Sequence, residues 1–198
     1  RWPGKARSTV FAGTNGAAYQ SWLFFAMDIN DSDFTLFDVP ERFAQDRTLL
    51  DGRWKALQRE AHPDRFAGQG AAAQRIAMQW SVRINEAYQR LKDPLKRAAY
   101  LCELHGAPIN AEDNTAMPAA FLMQQMEWRE ALEDAQSVAT AEALEADVAS
   151  ARQAVLQTCE TLLDTDHDYP RAAQQVRALM FIERFRHDIH ARLEQLGQ

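Results

Sequence analysis

The chain contains only two cysteines, Cys102 and Cys159, far apart in sequence. No CxxC pair exists, so neither a zinc knuckle nor a dithiol redox motif can be built from it. Both cysteines lie in apolar, helical surroundings and read as buried reduced thiols, not as a disulfide. Long apolar runs are also missing. The longest is Trp22-Leu23-Phe24-Phe25-Ala26, far short of the roughly 20 residues a membrane span needs. There is no glycine-rich phosphate loop and no strand-like alternation of useful length. Basic residues are not in excess: net charge is −6 and the sequence pI is about 5.4. That balance argues against a dedicated nucleic-acid binder, whose affinity rests on Lys and Arg neutralising phosphates. What is present is a composition of 46% apolar and 25% charged residues, ordinary for a globular protein. Its helical runs are punctuated by Pro and Gly. The chain reads as all-α, with 198 residues enough for one domain or two small ones.

The first 26 residues are rich in Gly, Ser, Thr and Ala and lack a helical period. We read residues 1–29 as an N-terminal extension and Met27 as the expected natural start. The extension has no clean apolar core of about 7–15 residues, as a signal peptide would require.

Phe34 to Phe37 suggest a brief helix or turn ended by Pro40. Asp46 is the expected N-cap of a helix running to Ala61. Its apolar stripe is Leu50, Trp54, Leu57 and Ala61. Lys55 and Arg59, one turn apart, project to the opposite side, and Arg53 flanks the stripe. Gly52 weakens this helix by about 1 kcal/mol relative to Ala, so packing must hold it. Then comes His62-Pro63-Asp64. Pro63 cannot continue the helix and biases His62 away from the α region, so the tripeptide is presented on a loop. A second helix, Ala71 to Leu91, has the stripe Ile76, Ala77, Trp80, Ile84, Tyr88 and Leu91. Asp93-Pro94 is an N-cap and N1 pair for a third. This one carries Ala98, Leu101 and Cys102 and ends at His105-Gly106, where Gly suits the C-terminus. These elements give an expected domain over 30–106.

Residues 107–117 lose the period and read as a linker. Three longer runs follow: about 118–135 opened by Pro118, about 140–164 with Thr140 as expected N-cap, and about 170–196 opened by Pro170. Short connections suit an antiparallel three-helix bundle over 118–198.

The first bundle helix has two apolar faces. At 100° per residue, Phe121, Trp128 and Leu132 fall within about 40° of one another, and Ala135 joins them as the core stripe. The far side holds Leu122, Met123 and Met126 among Glu127, Glu130 and Asp134. Between Ala119 and Ser150 there are seven acidic residues and one basic residue, Arg129. Two readings stay open on the residues alone. This second face packs within the bundle, or it is an exposed protein-binding patch, since Met adapts to varied partners and charge-rimmed apolar clusters mark interaction surfaces. The last helix has its stripe through Ile182, Phe185, Ile189, Leu193 and Leu196. Phe181, to one side, either extends the patch or seals the bundle edge.

Enzymatic chemistry has little to stand on. No Ser, Cys or carboxylate arrangement around His62 suggests a triad. No ligand spacing supports a metal at Asp64, and His187 and His190 lack a third ligand. No catalytic residue, cofactor or metal is expected.

The segments Phe34-Thr-Leu-Phe37, Leu57-Gln-Arg-Glu-Ala-His-Pro-Asp-Arg-Phe66, Ile84 to Gly106 and Phe121-Leu-Met-Gln-Gln-Met-Glu-Trp-Arg-Glu130 together resemble the HscB family. These are J-domain co-chaperones of iron–sulfur cluster assembly. The likeness covers roughly 30–196. The His-Pro-Asp loop alone marks only a J protein; the stretches around Arg97 to Gly106 and Phe121 to Glu130 narrow it to this branch. The resemblance implies an L-shaped pair of a J domain and a three-helix bundle in a cytoplasmic protein. It implies binding of the scaffold IscU, delivery to the DnaK-like chaperone HscA, and stimulation of that chaperone's ATPase. His62, Pro63, Asp64, Arg53, Lys55 and Arg59 would meet the chaperone. Leu122, Met123, Met126, Glu127, Glu130, Asp134 and Phe181 would meet the scaffold, which favours the exposed-patch reading. Ala61 stands where members often carry an aromatic residue, and Arg65 replaces a frequent Lys with charge retained. Eukaryotic members carry an N-terminal cysteine-rich zinc module that this chain lacks, which implies a bacterial member. Two alternatives remain: a J protein of another pathway with a different client, and a helical enzyme or DNA binder with His-Pro-Asp by chance.

Overall fold

The computed structural model describes residues 28–110 and 117–197. Seven α-helices and no strand occur among them. The reading of residues 1–27 as an extension lies outside the described residues, as does the middle of the expected linker, 111–116.

Local chemistry explains where the helices begin. Helix α1 (Asp33–Phe37) starts at Ser32, whose hydroxyl accepts the Thr35 N–H, and stops at Asp38, which is left-handed with φ 50°. Helix α2 (Arg47–Glu60) is capped by Asp46, whose carboxylate accepts the N–H groups of Thr48 and Leu49. These bonds satisfy amides that a helix start leaves free. Helix α3 is Ala71–Lys92. Helix α4 (Pro94–Leu104) has Asp93 as N-cap and Pro94 in its first turn. It is followed by Gly106 at φ 74°, a backbone conformation glycine adopts without penalty. Helices α5 (Ala119–Asp134), α6 (Val138–Glu160) and α7 (Tyr169–Leu196) form the bundle.

Three expectations need correction. Thr140 is not the N-cap of α6. Ser137 is, and Thr140 completes a reciprocal capping box with it; both residue types cap well, and the box uses both. Ile76 is not in the core: it is 55% exposed. It lies about 80° around α3 from Ile84, at the seam's edge. It is also near the helix start, beyond the reach of the much shorter α4. Finally, the first residues of the expected linker are docked. Ile109 is buried, and Arg177 on α7 donates to its carbonyl at 3.0 Å.

The core forms two clusters strung along the α6–α7 hairpin. At one end Trp128, Leu144, Val148, Ile182, Phe185 and Ile189 pack together. At the other, Leu156, Cys159, Leu162, Ala173, Val176 and Leu179 join Phe34, Phe37, Leu50, Ile84, Leu91 and Cys102 in one continuous cluster. The hairpin's turn is thus built into the N-terminal unit. Helix α6 ends in a π-helical turn, Thr161–Thr165, which carries Asp164 to the loop before α2. Its carboxylate accepts the N–H groups of Phe43 at 2.5 Å and Ala44 at 2.8 Å. Buried Arg97 donates to the Phe43 carbonyl at 2.7 Å and lies over the Phe43 ring. His105 stacks on Tyr169 at 3.9 Å and pairs with Glu41. Both cysteines are free and buried in this junction. Burial pushes the Cys102 thiol to about 11 and the Cys159 thiol to about 12.

A second buried polar centre fixes the N-terminal unit. Asp33 is fully buried and meets Arg83 at 2.7 Å and Arg90 at 3.2 Å. A buried carboxylate is tolerated only when paired in this way. Arg83 also donates to the carbonyls of Ile29 and Asp31, holding the incoming chain on α3.

Candidate functional site

Two exposed features stand out, one in each unit. The first is the tip of the α2–α3 hairpin. The hairpin's register is set by Trp54 Nε1 donating to Asn85 Oδ1 at 3.0 Å and by Gln58 and Ser81 bonded through side chain and backbone. At the tip His62 is extended (φ −63°, ψ 126°) and Pro63 opens a single 3₁₀ turn, Pro63–Phe66. His62 Nδ1 accepts the Asp64 N–H at 3.3 Å, and an Asp64 carboxylate oxygen lies 3.5 Å from the same nitrogen. In a neutral ring, an Nδ1 that accepts this bond leaves the proton on Nε2. Both side chains are exposed. The local turn therefore fixes the tripeptide while leaving its polar atoms available.

Lys55 and Arg59 are exposed on α2, as expected from the helical spacing. Arg53 is exposed too, but its guanidinium is paired with Asp38 at 2.6 Å, on the other flank of the helix. Glu60, beside the tip, is held above the usual carboxylate range by burial, with Arg65 and Arg59 opposing.

The second feature is the outer flank of α5. Leu122 is 44%, Met123 63% and Met126 71% exposed. Glu127, Glu130 and Asp134 are exposed around them. The opposite side of the same helix is anchored. Trp128 is buried, donates from Nε1 to Asp147 at 2.7 Å and stacks on Phe185. Six of the seven patch residues thus share one solvent-facing flank. Phe181 differs: it is partly buried, stacked on Phe185 at 5.9 Å and edge-on to Phe121 at 5.8 Å, with the Arg129 guanidinium over it. It seals the bundle edge between α5 and α7, at the rim of the patch.

Among the described residues, no group of three His, Cys, Asp or Glu is placed to hold a metal ion. No described helix is long and apolar enough to cross a membrane. The arrangement is suited to binding.

A helical hairpin with an exposed His-Pro-Asp tip, built onto a three-helix bundle, defines the class of J-domain co-chaperones. Residues 117–190 match the family described as the HSCB C-terminal oligomerisation domain. The HscB homologue of Burkholderia multivorans, named a co-chaperone protein, is 51% identical over 173 residues, covering 86% of this chain and 98% of that one. Among solved structures, HscB from Vibrio cholerae superposes with a TM-score of 0.72 at 35% identity, covering 84% of this chain and 99% of that one. Human HscB superposes with a TM-score of 0.80 at 26% identity, covering 87% and 86%. The chain belongs to the HscB family of co-chaperones.

Proposed function

We propose that this chain binds an IscU-type iron–sulfur scaffold through the α5 flank and delivers it to a DnaK-like chaperone of the HscA type. The His-Pro-Asp tip then stimulates that chaperone's ATPase, aiding cluster maturation and transfer. The work is cytoplasmic, and the chain catalyses nothing itself. The observation that carries this reading is the exposure of Leu122, Met123 and Met126 on a helix whose other face is anchored in the bundle by buried Trp128, with Phe121 and Leu132 packed beside it. An apolar cluster held out to water among carboxylates destabilises nothing when a partner covers it, and it marks an interaction surface. Glu127, Glu130 and Asp134 supply the rim, and Phe181, at the bundle edge on α7, borders the patch.

At the other end, His62, Pro63 and Asp64 act as a docking key that holds the chaperone's switch in its hydrolysis-competent state. Lys55, Arg59 and Arg53 steer encounter with an acidic surface, so the association weakens with salt. The test is steady-state ATP hydrolysis by the cognate chaperone, with and without this chain and the scaffold. Stimulation by the chain, enhanced by scaffold, is expected. Absence of stimulation by the wild-type chain overturns the reading, and failure to retain purified scaffold redirects it to another client.

A further inference from the structure

Helices α5 and α7 run parallel: Phe121 meets Phe181 and, further along, Trp128 meets Phe185. An open cleft of about 430 Å³ lies between them, with Leu132 and Phe181 in its walls and buried Phe185 at its floor. It continues along α7 past Ala191 to Gln195. Two contacts set the level of its sides. The Arg129 guanidinium lies over the Phe181 ring, and Arg192 donates to the Ala135 carbonyl at 2.7 Å. Arg129 and Arg184 therefore form one band across the cleft, and Glu133 and Asp188, each about one turn further on, form the next. All four residues are exposed. Among the described residues, none of the four has an ion-pair partner.

A band of cations followed one turn later by a band of carboxylates is its own complement. A two-fold axis across the helices, midway between the bands, sets α5 antiparallel to α5 of a second copy and α7 antiparallel to α7. Arg129 then meets Glu133 of the second copy, Arg184 meets Asp188, and the reciprocal pairs follow, as an isologous contact requires. A parallel arrangement would set cation on cation. Phe181 and Ala191 lie equally far either side of the midpoint of Arg184 and Asp188, so the same axis brings the small residue level with the ring of the other copy. The aliphatic stems of the arginines cover the apolar walls. Met126 lies within about 20° of Glu133 around α5. The turn that follows α5 in the second copy therefore covers it.

We infer that a second copy of this chain docks antiparallel on the α5–α7 cleft and covers Met126, so that self-association and scaffold binding exclude one another. The exclusion rests on the proposed function; the docking does not. The face is small and rich in charge, so the pair belongs with transient interfaces and loosens with salt. Mass action then sets the balance: the chain pairs with itself when scaffold is scarce and is released when scaffold binds the single copy.

The test is sedimentation velocity of the full chain. At low salt a monomer–dimer equilibrium is expected, moved toward monomer by added salt. Arg184→Asp and Asp188→Arg are each expected to weaken the dimer about tenfold, since each sets two like-charge pairs where two opposite ones stood. Mixed in equal amounts, the two variants are expected to pair as wild type does, because each reversal then faces the other; that rescue separates lost contact from lost folding. Purified IscU-type scaffold added to the dimer is expected to yield a complex of one chain with one scaffold. A chain that stays monomeric up to about 1 mM, or a dimer indifferent to both reversals, overturns the docking. Scaffold that binds the dimer without parting it overturns the exclusion. A chain that pairs as expected but binds no scaffold overturns the proposed function, and the exclusion with it, while the docking stands.

Discussion

Replacing Met123 and Met126 together by Ala tests the scaffold patch most directly. Fully burying a Met side chain is worth roughly 1.5–3 kcal/mol. Met123 and Met126 are 63% and 71% exposed in the free chain, so most of that burial is still available to a partner. About 1–2 kcal/mol is then recoverable at each site, less the part the Ala methyl retains. The pair should cost about 2 kcal/mol of binding, or about 30-fold in Kd. The same exposure predicts little effect on folding: the side chains are already hydrated, Ala favours the helix at least as well, and the stability change should stay within about 0.5 kcal/mol. Calorimetric titration of purified IscU-type scaffold gives the first number and urea unfolding the second. Affinity within twofold of wild type would refute the patch. A loss of affinity accompanied by a large loss of stability would show that the two residues serve the bundle.

His62→Gln and Asp64→Asn should each abolish ATPase stimulation while leaving scaffold affinity within about twofold, because tip and patch lie in different units; coupled ATPase and calorimetric assays read the two effects. Asp164→Ala removes the acceptor of the Phe43 and Ala44 N–H groups and should destabilise the chain by about 2–6 kcal/mol in urea unfolding, at about 1–3 kcal/mol for each part-buried donor left unpaired; a loss under about 1 kcal/mol would contradict the junction. The buried thiols predict a pH dependence. Unfolded thiols titrate near 9.0, whereas burial holds those of Cys102 and Cys159 at about 11 and about 12. The unfolded state therefore releases protons first, and stability present below pH 9 should fall as pH rises through 9 to 12. Replacing both cysteines by Ala should flatten that slope in unfolding measured across this range.

Much of this was legible because helical periodicity is local. Asp46, Asp93 and Pro94 announce their helix starts, and plotting α5 at 100° per residue separates Phe121, Trp128 and Leu132 from Leu122, Met123 and Met126 without any tertiary knowledge. Periodicity fails where a helix outruns its neighbours. Ile76 fits a stripe by spacing but is left more than half exposed. It also fails where two good caps compete, as Ser137 and Thr140 do. The junction was illegible for another reason. Asp164 meets Phe43 across 121 positions, and a carboxylate at the end of a helix reads only as a solvated charge. Ile109 shows the same limit, since a segment without period reads as a linker even when its carbonyl is held by Arg177.

That junction changes how the two exposed surfaces relate. If the bundle hung from the hairpin by residues 107–117 alone, a partner on α5 would wander relative to a partner at the tip. Instead the turn of the α6–α7 hairpin supplies Leu156, Cys159, Leu162, Val176 and Leu179 to the same core as α1–α4. Asp164, Arg97 and His105 add directional bonds and stacking around it. An interface this apolar opposes the relative motion that is the default between domains. Helix α7 carries the fixed relation onward: Val176 and Leu179 lie in one cluster, and Ile182 and Phe185 in the other. Less than one helical turn separates them. A partner held against Met123 and Met126 is therefore presented to whatever engages His62 and Asp64 at a set distance and orientation, so the ordering cost of bringing the two partners together is met largely within the fold.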